Sequence, residues 1–118
     1  MKTDIVDFNT AKSLQEISNI VRNYASRANA DIVKLDDDPF GAAGGPADDI
    51  AVGLCGNNIF GFGTRGWGVR VYVIDLGSTC AVKLAALGDG LMQAMSGGEF
   101  FDLRLSKKHR DNLASMLA

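Results

Sequence analysis

Every glycine in the chain, fourteen in all, lies between Gly41 and Gly98, and neither flank contains one. The flanks are therefore free to form long regular elements, while the middle has the residue that suits tight turns and close backbone approach. The glycines keep no triplet repeat, so a collagen helix is excluded. With 47% hydrophobic residues and a net charge of −2, the chain is too apolar and too nearly neutral to stay unfolded for lack of a core. At 118 residues it is expected to form one domain spanning 1–118.

The acidity is local. Residues 31–50 carry six aspartates against one lysine, while each of the other stretches comes out slightly basic. Such a balance gives no broad attraction to nucleic acid or to an anionic membrane. The opening MKTDIVDFNTAK has acids where a signal peptide needs an unbroken apolar run, and no stretch is apolar for long enough to span a bilayer as a helix. Cys55 and Cys80 form neither a disulfide framework nor a C-x-x-C pair, so a cytoplasmic location is expected.

Leu14, Ile17, Ile20, Val21 and Tyr24 recur at spacings of three and four, which predicts a helix running to about Ala28 with Asn9 or Thr10 as its cap. Asp31 to Leu35 reads as a short strand. Asp36 to Asp49, DDDPFGAAGGPADD, has no periodicity and reads as a mobile acidic loop. Strands are then predicted at Ile50–Cys55, Asn58–Thr64 and Val69–Leu76, the first two joined through Gly56-Asn57-Asn58. A two-residue turn there would set Ala51, Gly53 and Cys55 beside Phe60 and Phe62, and Ile50, Val52 and Leu54 beside Ile59, Gly61 and Gly63, large over small on both faces.

After the third strand, Cys80, Leu84, Leu87, Leu91 and Met95 fall on one helical stripe that Ser78 or Thr79 can cap and Gly97 can end. A helix is the favoured reading, although Gly88 and Gly90 would cost it about 1 kcal/mol each; the rival is a strand at Cys80–Leu87 and a short helix from Asp89. Phe100–Leu105 reads as a final strand, and Ser106 as the cap of a last helix that buries Leu113, Met116 and Leu117. The expected class is α+β: an N-terminal helix, a small mostly antiparallel sheet built on a glycine-rich meander at about 50–76, and one or two C-terminal helices.

Several constellations bear on chemistry. Gly61-Phe62-Gly63-Thr64-Arg65-Gly66 spells G-x-G-x-x-G, but an apolar strand and no helix follows, so it does not read as a dinucleotide fingerprint. Asp36, Asp37, Asp38, Asp48 and Asp49 supply carboxylates, yet EF-hand spacing from Asp36 places Phe40 and Ala47 at ligand positions; no metal site is assigned. Cys55 and His109, with Asp102 or Asp111, would make a nucleophile, base and orienter only if the fold gathered them. Without a local signature, Cys55 reads as a small core residue and Lys107-Lys108-His109-Arg110 as a solvated helix start.

Asp75-Leu76-Gly77-Ser78-Thr79, following an apolar strand and followed by Lys83, resembles the first phosphate loop of the actin and sugar-kinase superfamily. The resemblance implies phosphate contacts from Gly77, Ser78 and Thr79 and a magnesium-side role for Asp75. It stops near Lys83, and the second phosphate loop and adenosine segment of that superfamily are not identifiable here.

Thr64-Arg65-Gly66-Trp67-Gly68-Val69-Arg70 places the sole tryptophan between two glycines and near two arginines, residue types enriched at interaction hot spots. If 60–64 and 69–76 form a hairpin, Trp67 stands at its tip; the other reading folds it back over Gly61 or Gly63. The functional expectation is a small binding or regulatory protein acting by protein–protein contact through Arg65, Trp67, Arg70, Asp36, Asp37, Asp38 and Phe40. No catalysis and no cofactor are expected, and self-association is open. The alternative is a phosphate or nucleotide ligand held at Asp75, Gly77, Ser78 and Thr79.

Overall fold

A computed structural model describes residues 2–35, 49–57, 65–88 and 100–118. In chain order these form β1 (Lys2–Thr10), α1 (Leu14–Arg27), β2 (Asp31–Lys34), β3 (Ile50–Asn57), β4 (Arg65–Asp75), β5 (Cys80–Gly88), β6 (Phe100–Phe101) and α2 (Leu103–Leu117). The five longer strands make one antiparallel sheet in the order β1-β5-β4-β3-β2, and β6 pairs in parallel with the start of β4. The class is α+β, as expected, but the first element is a strand and the first helix follows it.

The sheet has a helix-covered face. Register and alternation place Val6 and Phe8 of β1, Val82 and Leu84 of β5, Val69, Val71 and Val73 of β4, and Val52 and Leu54 of β3 on it. Ile17 and Val21 of α1 and Leu113 and Leu117 of α2 complete this core. On the second face a smaller cluster joins Leu87, Phe101 and Cys55.

Local chemistry sets the helix boundaries. Ser13 caps α1 in a capping box with Glu16, satisfying two otherwise orphaned amides. Asn9 and Thr10 are not caps; they end β1, and Thr10 Oγ accepts from the Lys12 amide at 3.2 Å. The helix stops at Asn29, whose φ of 53° is tolerated best by asparagine and glycine. Asp102 caps α2 by accepting from the Arg104 and Leu105 amides. Ser106 therefore lies inside the helix rather than before it, and the expected strand at 100–105 is reduced to Phe100–Phe101.

The long helix expected from Cys80 is replaced by β5, with Ser78 and Thr79 in the turn before it. Lying between β1 and β4, β5 needs apolar residues on both faces, and CAVKLAAL supplies them except at Lys83. Residues 89–99, where the rest of that helix was expected, lie outside the described residues.

The pairing expected between 50–55 and 58–64 is displaced as well. β3 pairs with β2 on one edge and with β4 on the other, so neither edge is left for a third strand over Val52–Cys55. Residues 58–64, with the middle strand expected there, lie outside the described residues. Large over small still holds at other partners. Gly56 sits opposite Trp67, and a Cβ on Gly56 would fall within the indole ring, 2.6 Å from Cε2. A Cβ on Gly68 would come within 2.5 Å of the Phe101 ring.

Two helices side by side cover about 20 Å, whereas five strands occupy about 24 Å. The shortfall lies at one edge. α2 crosses β5, β4 and β1, with α1 beside it on the β2 side, and β2 itself remains exposed along all four residues.

Candidate functional site

The β2 edge forms a groove of about 360 Å³ between α1 and strands β2 and β3. Ser18, Val21 and Arg22, spaced three and four apart on one side of α1, make its wall; Ile32, Ile50 and Val52 make an apolar floor; Lys34 and Asp49 stand at its rim. Ile32 is 44% exposed and Val33, pointing to the second face, 36%. The Asp49 carboxylate accepts from the Asp75 amide at 2.7 Å. Arg22 and Lys34 take part in no ion pair among the described residues.

The backbone of β2 is half satisfied. The Leu35 amide donates to the Ala51 carbonyl at 3.0 Å, so by antiparallel alternation Asp31, Val33 and Leu35 direct their backbone groups at β3. Ile32 and Lys34 direct theirs outward. Their side chains are the two from β2 that line the groove.

The opposite end of the sheet is closed by side chains from α2. The Trp67 indole is 2% exposed and stacks on the His109 ring at 3.8 Å with an interplanar angle of 12°. Tyr24 Oη and His109 Nδ1 are 2.7 Å apart, joining α1 to α2. Burial, with the nearby Lys108 charge, holds the His109 pKa below its usual value, and burial pushes the Tyr24 phenol up. Ser106 Oγ accepts from the Gly68 amide at 3.0 Å, where β5 ends and β6 begins. Arg110, 5% exposed, donates to the Asp4 carbonyl and carboxylate and to Asp111, and its guanidinium holds the Asp4 carboxyl below the usual carboxylate range.

These positions separate the residues singled out by sequence. Trp67 is within β4 over Gly56, not at a hairpin tip, so its ring is not free to meet a partner. Arg70 lies on the second face between Gly53 and Ala85, with Nε buried and without a hydrogen-bond partner among the described residues. Arg65 opens β4. Asp36, Asp37, Asp38 and Phe40 lie outside the described residues. Cys55 faces away from the side of the sheet that holds His109 and α2, so a Cys55–His109 pair is not assembled. Cys80 is buried, and its thiol is pushed up by burial and by the charges of Asp75 and Asp49.

Asp75 to Thr79 forms the exposed turn between β4 and β5, with Gly77 at φ 103°. The Gly77 amide donates to Asp75 Oδ1 at 2.9 Å and the Leu76 amide to the Thr79 carbonyl. One of the three amides in the phosphate-loop resemblance, that of Gly77, is thus engaged within the turn, and Asp49 adds a second carboxylate there.

The groove was not legible from the residues. Asp31–Leu35 reads as a strand, but nothing in it tells an edge from a centre; Ile32 and Val33 beside the charged Asp31 and Lys34 were the available signal. No family model, curated protein or solved structure matches this chain.

Proposed function

We propose that this chain is a small binding protein that acts by contact with another protein and carries no chemistry of its own. The observation that carries the reading is the open β2 edge: four exposed residues, two of them large and apolar, beside an apolar groove. Exposed apolar edges invite pairing with other chains, and proteins usually blunt or cover them unless the edge is used. The contact surface is accordingly Ile32, Val33 and Lys34 with Arg22 of α1, in place of the hairpin tip expected around Trp67.

The test is affinity capture from the native host with the wild-type chain and with Ile32→Glu. A protein held through the edge is recovered by the wild type and lost by the variant, with the far-ultraviolet spectrum and melting temperature of the variant close to wild type. Equal recovery by a folded Ile32→Glu chain would remove the edge as the contact surface.

A further inference from the structure

We propose that the edge receives an extended segment of the partner that adds to the sheet antiparallel to β2 and carries an acidic residue, a spacer and then an apolar residue. This rests on the protein-contact reading above and specifies the occupant. The backbone groups that β2 leaves outward are those of Ile32 and Lys34, so an added strand takes its ladder hydrogen bonds from those two residues. Residues directly opposite one another in a sheet share a face. The incoming side chains opposite Ile32 and Lys34 therefore point to the helix-covered side, into the groove.

Chemistry then follows position by position. Opposite Ile32 the incoming side chain lies beside Ile32 itself, which is 44% exposed and has Leu54 as its partner on β3, a row that suits an aliphatic side chain. Opposite Lys34 the incoming side chain meets the Lys34 ammonium; Lys34 and Arg22, neither with an ionic partner among the described residues, outnumber the one carboxylate lining the groove, Asp49, whose Oδ2 accepts from the Asp75 amide. A carboxylate meets that unbalanced charge; a basic segment would be repelled. Because β2 runs from Ile32 to Lys34, an antiparallel partner presents its acidic residue first and its apolar residue two positions later.

The probe is a short synthetic peptide, Thr-Glu-Thr-Leu-Thr capped at both ends, compared with the same peptide carrying lysine in place of glutamate. Amide hydrogen exchange on the whole chain is read by NMR. Addition of the glutamate peptide slows exchange at Ile32 and Lys34, and not at Val33, whose amide already faces β3. Lys34→Glu weakens the glutamate peptide about fivefold, the scale of turning an attractive cross-strand pair into a repulsive one, and strengthens the lysine peptide.

No slowing at Ile32 and Lys34 with millimolar peptide overturns the proposal, as does indifference to the charge swap. Slowing at the same amides that grows with protein concentration alone also overturns it, making a second copy of the chain the occupant. If the peptides fail while Ile32→Glu still abolishes capture, the edge stands as a contact surface and the extended acidic occupant does not.

Discussion

The two ends of this sheet are built from similar strands and treated differently. At the β4–β5–β1 end α2 lies across the sheet and fastens it with polar bonds: Arg110 to Asp4, Ser106 to Gly68, and His109 between Trp67 and Tyr24. At the β2 end the strand has one sheet neighbour among the described residues, touches α1 without being buried by it, and leaves every residue exposed. The comparison separates residues that hold the fold from those free to meet something else. Substitutions at the closed end should register as stability, and those at the open end as binding.

The sharpest way to break that division is Trp67→Ala. Removing a fully packed indole over Gly56 and against His109 costs about 3–5 kcal/mol, enough to lower the melting temperature by many degrees; a variant as stable as wild type would show the closed end to be loosely packed. Ser106→Ala comes next. It strips the buried Gly68 amide of its acceptor, a loss of about 1–3 kcal/mol measurable by denaturant unfolding.

Titration of His109 gives a smaller effect. Because burial and Lys108 depress its folded pKa, the fold favours the neutral ring. That contribution is complete above the ordinary histidine value and is lost as pH falls through it and on toward the depressed folded value. Melting temperature should therefore drop between about pH 7.5 and 5.5, and His109→Gln should flatten that part of the curve. At the open end, Ile32→Glu should leave stability within about 0.5 kcal/mol of wild type while changing what the chain captures.

Helix α1 was readable because its apolar residues keep a strict three-and-four spacing, but its start was misplaced at Asn9 or Thr10 although Ser13 stands before Glu16 at the separation of a capping box. β1 was not, because Asp4 occupies an inner-face position where alternation calls for an apolar residue. Its compensation is Arg110, at the far end of the sequence. β5 was ambiguous for a different reason: Cys80, Leu84 and Leu87 share a helical stripe, while a strand buried on both faces shows no alternation to betray it. Only the presence of β1 and β4 on either side decides between them. Composition drew attention to Trp67 but could not place it, since its position depends on Gly56 across the sheet and on His109 from α2. The groove depends on how far α1 is offset from β2, a quantity set by packing and not by any local run of residues.

The pairing of β1 with β5 joins Lys2 to Gly88, so one of the first strands made must wait for one of the last. During synthesis β1 emerges with Val6 and Phe8 exposed and Asp4 unpaired, and neither its neighbour nor Arg110 exists until most of the chain has followed. A sheet ordered in this way cannot be completed by stepwise addition from its first strand. The β4–β5 hairpin is local, whereas β1 docks on β5 across most of the chain, and closing such a long-range pairing slows folding.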